Sequence, residues 1–181
     1  GVLEADFFAR AAPQGDAVVF SPDAQARMAA VPGVDRIDPI RFERLTPDGT
    51  TGLLTINASP NDAALLRGFQ ADPPVVTPKG KAITAWVSEA AVDLFGWKAG
   101  QEVTLPISGK RATFRIAGVF RDYSRTWGAL LVDLADYRAI AKDTLANDVA
   151  IHLAPGADIK AVEAALGKVV AQVPGAELHD A

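Results

Sequence analysis

The chain of 181 residues has no cysteine, one methionine and two histidines. Without cysteine there is no disulfide, no thiolate nucleophile and no cysteine-bound zinc. The compartment stays open, because proteins on either side of a membrane can lack thiols. His152 and His179 form no HxH, HxxxH or HExxH spacing, so a transition metal has no framework, and each reads as a structural or surface residue. No apolar run approaches the roughly 18 residues of a spanning helix. The first residues, GVLEADFF, lack the basic start and long apolar stretch of a secretory signal. Positive charge is also short: 18 Lys and Arg against 22 Asp and Glu leave a net charge of -4, which argues against a nucleic-acid partner.

Catalytic motifs are missing as well. Gly80-Lys81 falls short of a phosphate loop, which would need glycine at Val75 and Ser or Thr at Ala82. Ser108 lacks the glycine frame of a nucleophile elbow and reads as a turn serine. The carboxylates are spread evenly, and Asp23, Asp62, Glu89 and Asp158 stand where helices begin. No catalytic, cofactor or metal residue is assigned, and the chain is expected not to be an enzyme.

What is present is a dense series of packing signals over residues 87–132. Ser88 can cap a helix carrying Glu89 in its first turn, with Ala91, Leu94 and Phe95 following and Gly96 stopping it. Val103, Leu105 and Ile107 alternate with period two, Ser108-Gly109 fits a short hairpin connection, and Phe114, Ile116 and Phe120 resume the alternation. A further helix is expected over 134–141.

The two ends of the chain echo each other. Alanine-rich helices, one starting at Ser21-Pro22 and one at Asp158, both end in Val-Pro-Gly followed by a short strand-like segment. Each is preceded by an apolar segment, 17–20 and 149–153, read as a strand. Two strand-helix-strand units over a hundred residues apart imply a split domain whose halves share one sheet, with both helices on the same face. Between them, 42–45 and 52–56 flank Pro47-Asp48-Gly49 as a hairpin. Ser59-Pro60-Asn61-Asp62 opens a short helix carrying Leu65, Leu66 and Phe69, and the proline-rich 72–81 reads as a linker or rim loop. The expected fold class is α+β, with a split β-α-β module over 4–75 and 146–181 and an inserted mixed α/β subdomain over 76–145.

The order Val87, Ser88, Gly96, Lys98, Gly100, Val103, Leu105, then Phe114, Ile116, Gly118, Val119, Arg121, Asp122, Tyr123 and Asp133 resembles the extracytoplasmic core domain of FtsX-like/MacB-type ABC transporter permeases. Asp133 to Tyr137 and the Leu-Ala-Pro-Gly-Ala-Asp run ending at Asp158 suit the same family. The resemblance implies a split module with an insertion (the Porter and Sabin subdomains) and no catalysis of its own. It also implies a place on the periplasmic face of the inner membrane, within a multi-pass protein. A cognate cytoplasmic ABC ATPase would act through membrane parts outside this sequence. Further partners implied are a permease dimer mate and a periplasmic protein or lipophilic substrate. The competing reading is a free-standing small-molecule-binding module or enzyme with a cleft at the proline-rich loop. Apolar helices of about 20 residues flanking the segment would decide between them.

Three tryptophans complete the inventory. Trp86 and Trp97 read as core around the inserted helix. Trp127 lies in a polar stretch with Arg121, Tyr123 and Arg125, the composition of a partner-binding surface, and two readings of it stay open: interface anchor, or loop residue folded onto the core.

Overall fold

The computed structural model describes residues 5–60, 82–121 and 127–181. In chain order its elements are β1 (Phe7–Ala11), α1 (Pro22–Ala29), β2 (Val34–Leu45), β3 (Leu54–Ser59), β4 (Ile83–Ser88), α2 (Glu89–Phe95), β5 (Glu102–Ile107), β6 (Lys110–Phe120), β7 (Gly128–Asp133), α3 (Leu134–Ala141), β8 (Asp148–Leu153), α4 (Ile159–Val170) and β9 (Ala176–Asp180). They form two compact units, Gly1–Arg41 with Thr144–Ala181, and Phe42–Asp143. The fold class is mixed α and β, with a split β-α-β module and an insertion, as expected.

In the first unit the strand order is β2-β8-β1-β9. Strand β1 runs antiparallel to both β8 and β9, and β2 runs antiparallel to β8. Each β-α-β crossover therefore straddles a strand of the other: β1-α1-β2 encloses β8, and β8-α4-β9 encloses β1. This interleaving is the split βαβ arrangement, with the second unit inserted between its halves. The Ser21 hydroxyl accepts from Ala24 N at 3.1 Å to start α1, and the Asp158 carboxylate accepts from Ala161 N at 3.2 Å to start α4. Both helices stop identically. Val31 N donates to Met28 O and Val34 N to Val31 O; Val173 N donates to Val170 O and Ala176 N to Val173 O. Gly33 and Gly175 supply the positive φ, 96° and 82°, that turns each chain into its strand. Phe7, Ala9, Val149 and Ile151 bury one sheet face against Met28, Val162, Leu166 and Val170, so both helices cover the same face.

One expectation fails here. Residues 17–20 are not a ladder strand; only Phe20 forms a bridge, to Ala146. The strand before α1 is β1, whose alternation of Phe7, Ala9 and Ala11 on the buried side was obscured by small side chains. Val18 and Phe20 are still buried, anchoring an extended connection.

In the second unit the order is β5-β6-β4-β7-β3, with β2 next to β3 through the turn Pro47–Thr50. Strand β3 is parallel to β7 and β4 is parallel to β6, whereas β5/β6 and β4/β7 are antiparallel. Because β3 pairs with β7, residues 42–59 belong with this unit; the structural division falls at 41/42 and 143/144, whereas the expected one lay at 75/76 and 145/146. The hairpin turn between β5 and β6 has Ser108 at φ 48° and Gly109 at φ 77°, the mirror-image geometry that matches strand twist. Ile56, Val87, Leu105, Phe114, Ile116 and Leu130 form the core under α2 and α3. The helix and linker expected over 61–81 lie outside the described residues, as does Gly80-Lys81.

Candidate functional site

The ends of the segment joining β6 to β7 are set by α2. Ser88 is buried; its hydroxyl accepts from Ala91 N at 3.2 Å as the helix cap and from Ala129 N at 2.9 Å on β7. Gly96 closes the helix in the left-handed region at φ 68°. The Phe95 ring lies against two glycines: a Cβ added at Gly52 or Gly128 would come 2.9 Å or 3.0 Å from it. Only residues without a side chain let the backbone approach so closely. Trp97 stacks obliquely on Phe95, with centroids 4.7 Å apart. Around this anchor Leu53 and Leu94 are exposed at 39% and 47%, and Gly128 N donates to Leu53 O at 3.1 Å.

Two of the four expected partner-binding residues fall within the described chain. Arg121 is exposed and pairs through Nε with the Glu89 carboxylate at 3.0 Å, at the N-terminal end of α2. The pair is open to solvent on both sides and adds little to stability. Trp127 is half-buried, and its indole nitrogen is shielded from water without a hydrogen-bond partner among the described residues. Tyr123 and Arg125 lie outside the described residues. The apolar neighbours Leu53 and Leu94 were not singled out in the sequence as part of a surface; the signal was the glycine beside each β-strand end, Gly52 and Gly128.

The remaining candidates resolve into structure. His152 is buried with Nε2 2.8 Å from the Asp38 carboxylate, which also lies 3.5 Å from Arg36. His179 stands 3.2 Å from Glu177. Among the described residues no group of three or more His, Asp or Glu side chains gathers as a metal would require. Ser108 occupies its turn, and Trp97 is core. Trp86 is half-buried and, unlike Trp97, is not among the core residues of this unit. A groove of about 540 Å³ between α1 and α4 is lined by Arg27, Val31, Pro32, Ala165, Lys168 and Gln172. Arg27 bridges to Gln172 at 2.7 Å across it, and it holds no convergent set of polar groups that would orient a small ligand. The proline-rich segment proposed as a cleft lies outside the described residues. Burial, and then the charge of Asp133, raise the Asp136 carboxyl above its ordinary value. It sits in the first turn of α3.

Residues 4–169 match the family model described as MacB-like periplasmic core domain. The chain belongs to that family. It is thus a domain of the periplasmic region of MacB- and FtsX-like ABC transporter permeases. Among solved structures it resembles the periplasmic region of MacB from Actinobacillus actinomycetemcomitans, with a TM-score of 0.62 at 7% identity, covering 98% of this chain and 89% of that one. It also resembles the extracellular domain of the noncanonic ABC-type transporter YknZ from Gram-positive bacteria, with a TM-score of 0.58 at 10% identity, covering 97% and 99%. At such identities these likenesses speak for the fold. No curated protein matches the sequence. No described helix of this MacB-like domain is long and apolar enough to cross a membrane.

Proposed function

We propose that this domain couples ATP-driven motion of membrane helices to the handling of a substrate or partner outside the membrane, with no catalysis of its own. On this reading a separate cytoplasmic ATPase hydrolyses ATP, and the chain belongs to a multi-pass permease whose extracytoplasmic face it forms. The observation that carries the proposal is the family match over residues 4–169. The hydroxyls of Ser21 and Ser88 and the carboxylate of Asp158 are taken up in helix starts, which suits a packing role for these groups.

On the same reading the partner contact is made by Arg121, Tyr123, Arg125 and Trp127, with the exposed Leu53 and Leu94 as added apolar area. Arginine and aromatic residues tend to dominate binding energy. Trp127→Ala is expected to cost on the order of 2 kcal/mol in partner binding. In cells lacking the permease, the full-length variant should then fail to restore export, while the purified domain melts nearly as before. A stability loss of roughly 3–5 kcal/mol, the cost of truncating a core aromatic, would retire the contact and make Trp127 structural.

A further inference from the structure

Glu43 is the second residue of the inserted unit, on β2 just beyond the point where the chain enters it. Its carboxylate is used on both oxygens. Oε1 accepts from the Tyr137 hydroxyl at 2.7 Å and from the Ser108 hydroxyl at 3.2 Å, and Oε2 accepts from Ser108 N at 3.0 Å. Tyr137 is fully buried and lies on α3, the last element before the chain leaves the unit at Asp143. Ser108 is the tip of the β5-β6 hairpin, at the opposite end of the strand order from β3 and β2. A single carboxylate thus gathers the entry strand, the exit helix and the far edge of a sheet that curls to meet it. Arg111 with Asp48, 2.9 Å apart, is a second but more exposed tie along the same line.

Two details separate Glu43 from an ordinary surface hydrogen bond. The charge-assisted bond from the buried Tyr137 phenol is partly shielded and is the stronger kind, whereas the Ser108 bonds and the Arg111–Asp48 pair are open to water and add less. Ser108 is a non-glycine residue at φ 48°, a conformation that costs energy unless something holds it, and Glu43 holds it by both its N–H and its hydroxyl. On the other side of the boundary, within the first unit, Asn147 plays the matching part: its N–H donates to Ile40 O at 2.8 Å and its side chain accepts from Arg41 Nη1 at 3.0 Å.

We infer that Glu43 is a conformational latch that ties the entry and exit segments of the inserted unit together, so that both chain crossings move as one. Its use in transport rests on the coupling reading; its existence does not. The test is amide hydrogen exchange on the purified chain, comparing wild type with Tyr137→Phe and Glu43→Gln. The latch predicts at least tenfold faster exchange at Ser108, at Phe42 to Leu45 and at the last turn of α3. The β1, β8 and β9 amides should keep their wild-type rates. Unchanged rates at those positions, or an equal acceleration across both units, would overturn it. The second arm introduces Glu43→Gln into the full-length permease with its ATPase. Lost export with ATP hydrolysis retained is expected; export undiminished despite loosened segments would leave the latch standing and count against the coupling reading.

Discussion

The two Val-Pro-Gly turns look equivalent in sequence, yet the structure makes them unequal, and the difference can be measured. Gly33 and Gly175 both have positive φ, 96° and 82°, so an alanine at either site incurs a backbone penalty of about 1–2 kcal/mol. Space is what differs. A Cβ on Gly33 would lie 2.6 Å from Val162 Cγ2 and 3.3 Å from Ala157 Cβ, whereas one on Gly175 would meet Val18 Cγ1 at an ordinary 3.4 Å. Val162 is only 2% exposed and sits on the buried stripe of α4, so it has nowhere to retreat. Overpacking of that kind adds about 1–3 kcal/mol. Gly33→Ala should therefore cost about 2–5 kcal/mol and Gly175→Ala about 1–2 kcal/mol. Urea denaturation followed by far-UV circular dichroism reads the difference as a shift in midpoint at constant slope. All three tryptophans, Trp86, Trp97 and Trp127, lie in the other unit, so their fluorescence reports separately whether the second unit unfolds with the first. Introducing Gly33→Ala into a Val162→Ala background should lower its cost by about 1 kcal/mol or more, since the two side chains compete for one space. Equal losses at the two glycines, or no coupling to Val162, would refute the steric argument.

Other outcomes follow from single side chains. Ser88→Ala removes a helix cap and strands the buried Ala129 N–H, so it should cost about 2–4 kcal/mol in the same denaturation experiment, with Ser88→Thr the milder change. Asp136→Asn should stabilise the chain at neutral pH. Folding raises the pKa of Asp136 above 3.8, which makes its ionised form a liability; the gain should shrink as pH falls through the raised pKa and vanish below 3.8, in melts taken across pH 3–7.

Much of the local structure was legible from neighbours in the chain. Ser88 with Gly96, Ser108 with Gly109, Asp158, and the paired Val-Pro-Gly stops act through backbone groups three or four residues away. Their geometry follows from residue type alone. The family resemblance was likewise carried by the order of such signals between Val87 and Asp158. The first strand was misplaced because Ala9 and Ala11 give a weak alternation, while Val18 and Phe20 look strand-like but have a single bridge to pair with. Strand pairing could not be read this way. That β8 lies between β1 and β2, that β3 takes β7 as a parallel neighbour, and that Glu43 reaches Ser108 and Tyr137 are contacts between residues distant in the chain. Which of many possible closures wins depends on the packing reward for burying a whole sheet face, set against the entropy of closing each loop. Sequence alone thus determined the caps, the turns, the periods and the family. The partners of each strand, the unit boundary inside β2 and the role of Glu43 were decided only when the chain closed on itself, because a hydrogen bond between distant residues has no local signature.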